Sequence, residues 1–265
     1  MVPVALTNQQ EIISMNAQTL NRLRELKLSG MAIALEHQQQ QVSAYEGLAF
    51  TERLDLLLER EQILRENRKQ DRLIQQAQFK LQANVQQIDY GHGRNIKKDV
   101  VARLAQCDWI ERHQNLLLTG PCGTGKTYLA CAVGHAACLR DYRVRYFRMS
   151  RLFLELTQAK ADGTYGRLLK QLAKVNVLIL DDWALEPLQP SHRHDLMEIL
   201  DDRHGSSSTV VISQLPTSEW YDSIGENTLA DAILDRLMHN AHNLKLQGKS
   251  MRKVLGQLTE GEHLQ

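Results

Sequence analysis

The chain has 265 residues, 32 basic and 31 acidic side chains, a net charge of +1, and 43% hydrophobic against 24% charged residues. These are the proportions of an ordinary globular protein, so a disordered, collagen-like or disulfide-scaffold chain is excluded, and the length allows one medium domain with a smaller appendage. No apolar run approaches the roughly 18 residues of a membrane span, and residues 1–10 lack the basic and apolar stretches of an export signal, so the expected compartment is the cytoplasm.

Residues 1–90 are expected to form a small all-helical domain. Leu20, Leu23 and Leu26, then Leu54, Leu57, Leu58 and Leu64, recur at spacings of three and four, the helical period. The glutamine tract Gln38 to Gln41 lies among helix formers and reads as solvated helix surface. Gly91-His92-Gly93 breaks the pattern and marks a linker, which puts a second domain at residues 91–265.

Beyond the linker the rhythm changes. Apolar, strand-like runs at 115–119, 143–147, 175–180 and 209–212 alternate with helical stretches at 127–139, 150–160 and 191–203, and two short helices are expected after Thr228 and after Ser250. Strands alternating with helices are the pattern of βαβ units, so the fold class is α/β with a parallel sheet.

Gly120-Pro121-Cys122-Gly123-Thr124-Gly125-Lys126-Thr127, followed by Tyr128, has the G-x-x-x-x-G-K-[ST] spacing of a phosphate-binding loop, and it sits between a strand and a helix as such a loop must. Glycines let consecutive backbone N–H groups turn inward on phosphates, the helix N-terminus adds partial positive charge, and Lys126 adds a full one. Thr127 is the residue whose hydroxyl would reach Mg²⁺. The apolar run Val177-Leu178-Ile179-Leu180 ends in Asp181-Asp182, where Asp181 would hold the same cation and Asp182 could polarise the attacking water. No Asn-Lys-x-Asp guanine reader follows, so ATP is expected in preference to GTP.

Residues 140–174 carry nine basic and three acidic side chains, and residues 175–202 carry one basic and seven acidic, so a balanced total conceals a basic segment followed by an acidic one. Arg145, Arg148, Lys170 and Lys174 are candidates for contact with a DNA backbone, with Tyr146 and Phe147 interleaved. A solvated face, with some arginines paired to the acidic segment, would show the same pattern. Cys107, Cys122, Cys131 and Cys138 lack C-x-x-C spacing, His192 and His194, two apart, point to different faces of the expected helix, and His239 and His242 lack a nearby cysteine or carboxylate set, so neither a zinc site nor a redox pair is expected.

Leu26-Lys27-Leu28-Ser29-Gly30-Met31, the phosphate loop, Leu180-Asp181-Asp182-Trp183, Ser213-Gln214-Leu215-Pro216 and Leu234-Asp235-Arg236-Leu237 together resemble the IstB-type transposition helpers of insertion sequences, AAA+ ATPases similar to DnaC-type helicase loaders. The resemblance covers nearly the whole chain. It implies a Mg²⁺-dependent ATPase that oligomerises on mostly non-specific duplex DNA and recruits or stimulates a transposase. It further implies that Ser213 or Gln214 is the sensor reading the γ-phosphate, that Arg236 is an arginine finger acting on a neighbouring subunit, and that Arg252 is a second nucleotide-sensing arginine. Two departures stand out: the family's usual Asp-Glu is Asp181-Asp182, and little chain follows Arg252 to form a helical lid. The competing readings are a loader of a replicative helicase and a DNA-binding scaffold whose nucleotide stabilises the oligomer with little turnover.

Overall fold

The computed structural model describes residues 17–91, 93–248 and 250–251, which divide into two compact units between Asp71 and Arg72. In the first unit, residues 17–25 form α1, followed by α2 (Ser29–Gln40), α3 (Val42–Tyr45) and α4 (Phe50–Ala77). The helical period of the leucines is therefore realised as helices, but it does not become a deep core: Leu26 and Leu58 stay 68% and 49% exposed, as does Phe50 at 78%. The unit is held at the crossing of α2 and α4. A Cβ on Gly30 would come within 2.5 Å of the Glu61 Cα, so only glycine lets the two backbones approach this closely. Glu61, buried at 6% exposure, accepts hydrogen bonds from the Gly30 and Met31 amides and from Arg65, and so satisfies donors at the open end of α2.

The second unit continues from the last turns of α4 through a short 3₁₀ turn (Val85–Gln87), α5 (Lys98–Gln106), α6 (Asp108–Glu111), β1 (Asn115–Thr119), α7 (Lys126–Cys138), β2 (Val144–Arg148), α8 (Met149–Ala161), α9 (Tyr165–Ala173), β3 (Val177–Trp183), α10 (Pro190–Arg203), β4 (Ser208–Ser213), α11 (Trp220–Ile224), α12 (Asn227–Met238) and β5 (Ala241–Lys245). The five strands form one sheet in the order β2-β3-β4-β1-β5, every pair parallel, as the alternation of elements predicts.

Each central strand is apolar at nearly every position because both faces of a parallel sheet are covered by helices. Leu116 and Leu118 join Ile179, Val210 and Ile212 on one side, packed with Leu129 and Val133 of α7. Leu117, Leu178, Leu180 and Val211 face the other side, with Leu152 and Leu156 of α8 and Leu196 of α10. Truncating one of these fully buried leucines to Ala would cost about 2–5 kcal/mol.

The division between units falls inside α4, and not at the glycine pair that marks a linker in the sequence. Leu73, Ala77, Ala83 and Ile88 belong to the same apolar cluster as Leu116 and Val133, so the segment before the glycines is already part of the second unit's core. Five elements go beyond what the sequence pattern suggests: α5, α6, α9, α11 and β5. β5 is an edge strand of mixed polarity, Ala-His-Asn-Leu-Lys, without a strand-like apolar run. The helix α9 lies in the segment whose charge dominates its composition, yet it buries Leu169 and Leu172. The helix expected after Ser250 falls outside the described residues apart from Met251. Among the described residues no helix is long and apolar enough to cross a membrane.

Candidate nucleotide site

The loop from Gly120 to Gly125 leaves the end of β1 and enters α7 with φ of +140°, +82° and +93° at Gly120, Gly123 and Gly125. Those values belong to the region that side-chain-bearing residues avoid, which is why the loop needs glycine at these three places. The chain after β5 lies against it. A Cβ on Gly120 would meet the Leu246 carbonyl at 2.1 Å and one on Gly123 would meet the Ser250 Oγ at 2.2 Å, while the Met251 amide donates to the Gly123 carbonyl at 2.9 Å.

Lys126 is 7% exposed and its ammonium donates to the Gly120 and Pro121 carbonyls at 2.7 and 2.8 Å. Burial holds it below the ordinary lysine range, outweighing the pull of Asp181 and Asp182. Thr124 closes the turn by donating to the Pro121 carbonyl at 3.0 Å. Cys122 and Pro121 are exposed loop residues, and Tyr128 points toward Gln87 at 3.4 Å.

Asp181, 2% exposed, stands at the centre of this end of the sheet. Its Oδ2 accepts from the Thr127 hydroxyl at 3.0 Å and the Tyr146 hydroxyl at 2.6 Å, and the Lys80 ammonium lies 3.6 Å away. A hydroxyl and a carboxylate brought together this closely beside a phosphate loop fit the oxygen ligand set of Mg²⁺. Burial, then the bond to Asp181, push the Tyr146 phenol well above its usual range, so it remains a neutral donor. Sequence reasoning misses Tyr146 and Lys80: nothing in local spacing marks a tyrosine facing inward from β2, or a lysine beyond the end of α4, as neighbours of Asp181.

The next residue turns the other way. Asp182 has φ +62° at an irregularity in the β3–β4 register, and its carboxylate is gripped by Arg148. Of the two sensor candidates at the end of β4, Ser213 is fully buried, its hydroxyl donating to the Trp183 carbonyl at 2.9 Å and accepting from the Leu215 amide at 3.1 Å. Gln214 is exposed.

Arg236, near the end of α12, lies away from its own phosphate loop. Its carbonyl accepts from Asn115, the first residue of β1, whereas the loop follows Thr119 at the other end of that strand, about 13 Å away at the ~3.3 Å rise of a parallel strand. The guanidinium pairs with Asp201 at 2.7 Å, and not with the adjacent Asp231 or Asp235. Arg252 lies outside the described residues.

The basic candidates are placed differently from one another. Arg145 stacks over Phe147 at 5.0 Å and donates to the Gln76 carbonyl at 3.0 Å. Arg148 is taken up by Asp182. Lys170 and Lys174, with Arg167, line an open concavity of about 450 Å³ on α9. Among the cysteines, burial pushes Cys107 and Cys131 up to about 11 and Cys138 up to about 12, so these are neutral thiols at pH 7. His192 stacks on Phe153 at 4.1 Å.

Comparison with known proteins agrees with this geometry. The profile of the family described as IstB-like ATP binding protein matches residues 21–257. An insertion sequence ATP-binding protein of Sinorhizobium fredii is 47% identical over 235 residues, covering 89% of this chain and 96% of the relative. An ATP-binding protein of insertion sequence IS21 from Pseudomonas aeruginosa is 32% identical, covering 87% of this chain and 86% of the relative. In fold, the chain is similar to DnaI (TM-score 0.54, 21% identity, 64% of this chain and 90% of that one) and to the DnaC helicase loader (TM-score 0.51, 22% identity, 63% and 97%), so the α/β unit shares the fold of those proteins. With a glycine loop built on β1, a threonine and a buried aspartate converging beside it, and family likeness along almost its whole length, the chain belongs to the IstB-like ATP-binding proteins.

Proposed function

We propose that the protein hydrolyses ATP as an assembly on DNA and thereby recruits or stimulates the transposase of an insertion sequence. The observation that carries this reading is the position of Arg236 at the far end of β1 from its own phosphate loop, a placement that suits a partner's loop and not its own. Its relatives' association with insertion sequences supports the transposition context.

In this reading the backbone N–H groups from Gly120 to Thr127 cradle the phosphates and Lys126 releases the two carbonyls to meet their charge. Thr127 and Asp181 would hold Mg²⁺, which, when bound, neutralises charge on the phosphate oxygens. Asp182 orients and deprotonates the attacking water once Arg148 lets go, with Gln214, exposed just after β4, as the sensor. Arg236 from the next subunit meets the charge of the transferring phosphoryl group, a contribution worth about 10³–10⁵ in rate. Arg252 is proposed as a second sensor, because Ser250 and Met251 already lie on the loop. DNA binds through exposed Lys170 and Lys174, with Arg145 in support, and the exposed apolar helices of the first unit offer the partner surface.

Mixing two inactive proteins tests the shared site. Arg236→Ala and Lys126→Ala should each lack ATPase activity, and a mixture should regain part of it, because one interface then joins an intact Arg236 to an intact loop. No recovery at any ratio, with co-assembly demonstrated, would remove the shared-site mechanism. A DnaC-type loader is the competing reading, favoured by the fold likeness; helicase loading in place of transposase stimulation in reconstituted reactions would establish it.

A further inference from the structure

Arg94 is 7% exposed, and its Nε and Nη2 atoms have no hydrogen-bond partner among the described residues. Burying a guanidinium with donors unsatisfied is costly, and such a group persists where a ligand completes it. Its location says which ligand. A Cβ on Gly125, the last glycine of the phosphate loop and the residue preceding α7, would come within 2.9 Å of the Arg94 Nη1. The guanidinium therefore lies on the side of the loop that glycine leaves open, where helix N-terminal amides favour an anion.

The backbone at this arginine is tied to one neighbouring segment by two bonds. The Gln247 amide donates to the Arg94 carbonyl at 3.0 Å, and the Asn95 side chain donates to the Lys245 carbonyl at 3.3 Å. Both anchors belong to the end of β5 and the segment after it, and β5 is paired in register with β1, the strand that carries the loop. Arg94 is thus held by the same framework that holds Gly125. Lys126 meanwhile serves the other limb of the loop, at the Gly120 and Pro121 carbonyls.

We propose that Arg94 is a second cationic ligand of the bound nucleotide, its planar fork contacting the α- and β-phosphates beside Gly125. This rests on the nucleotide-binding reading of the loop and adds to it a residue from outside the loop. An arginine suits the task because its fork can make two parallel bonds to phosphate oxygens, which lysine cannot. Since the α- and β-phosphates are common to both nucleotides, the contact should serve ADP and ATP alike.

The test is calorimetric titration of the full chain with ADP and with a non-hydrolysable ATP analogue. Arg94→Gln should weaken both by a similar factor, about 10- to 100-fold, the range of a hydrogen bond to a charged group. Arg94→Lys should weaken both by less, and the thermal midpoint without nucleotide should not fall for Arg94→Gln, because a buried unpaired charge has been removed. Unchanged affinities in folded Arg94→Gln protein would overturn the proposal, as would a lowered midpoint without nucleotide accompanied by unchanged affinity. Should neither variant fold, hydrogen exchange in the wild type decides: ADP should slow the Arg94 and Asn95 amides, and no change there would overturn it. A wild type that binds neither nucleotide would instead sink the loop reading itself, a failure recognisable because it precedes any substitution.

Discussion

Arg148 closes on Asp182 from the neighbouring strand, with its Nε and Nη2 both 2.7 Å from the same carboxylate oxygen. In the parallel register Arg148 stands opposite Asp181, and the positive φ of Asp182 turns the next carboxylate back toward the same arginine. The residue proposed to activate water is therefore engaged by a guanidinium that must let go before the carboxylate can reach a water molecule. Arg148→Ala should raise ATP turnover measured without DNA. The pair is half exposed, and such pairs are worth about 0–1 kcal/mol, so the rise should be up to about fivefold. A fall in turnover would mean that Arg148 orients Asp182 for the reaction.

Asp182→Asn keeps the shape and the hydrogen bonding of the side chain but cannot accept a proton. Single-turnover hydrolysis should slow by about 10²–10⁴, the usual contribution of a general base, with nucleotide affinity unchanged. If the rate matched wild type, the water-activating role would pass to Glu186, which lies beyond the same strand.

On DNA, Lys170→Ala with Lys174→Ala should flatten the salt dependence of binding. Every phosphate that is no longer neutralised should take about 0.9 off the log–log slope. Arg145→Ala should change it less, because that guanidinium is already engaged by Phe147 and the Gln76 carbonyl. A slope equal to wild type in the double lysine variant would place DNA elsewhere.

Gly30→Ala should destabilise the first unit by about 1–3 kcal/mol, the usual cost of overpacking a tight contact, because the new methyl group meets backbone and not a flexible side chain. Urea unfolding followed by far-ultraviolet circular dichroism would show the helices of that unit melting earlier than in wild type.

Glu61 gives the same unit a dependence on acid. Burial pushes its carboxyl up, but hydrogen bonds from Arg65 and from the Gly30 and Met31 amides outweigh it and hold the group below the ordinary carboxyl value. With the folded value depressed, the stabilisation is complete above the unfolded-state value and disappears as pH falls through the folded one. Protection of the Gly30 and Met31 amides against hydrogen exchange, taken relative to the intrinsic rate at each pH, should fall over that acid window in wild type, and should lack that pH-dependent step in Glu61→Gln.

What can be read in the sequence is what short stretches of chain determine. The phosphate loop lies between β1 and α7 as its glycines require, and the apolar run ending in Asp181 is a buried central strand. What cannot be read arrives by tertiary approach. Lys80, Tyr146 and Arg94 reach the site from the turn after α4, a neighbouring strand and the segment after the glycine pair, and no local spacing announces them. In the sequence Arg148 falls among the DNA candidates because its neighbours are basic, whereas the strand register and the turn of the backbone at Asp182 give it a carboxylate partner. The glycines at 91 and 93 mark a change of rhythm without marking the edge of a core, since Ala83 and Ile88 already pack with Leu116.

The strand order also sets a timetable for synthesis. β1 pairs only with β4 and β5, both made much later, so the phosphate loop leaves the ribosome attached to a strand that has nothing to bond to. From Thr119 to Ser213 is 94 residues, which takes roughly 5–20 s at ribosomal rates of about 5–20 residues per second. During that interval Leu116, Leu117 and Leu118 are an uncovered apolar edge, while β2 and β3, which emerge next and pair with each other, can associate first. The nucleotide cradle is therefore among the last features of the chain to take shape, and a nascent chain interrupted before β4 leaves that edge free to join other chains.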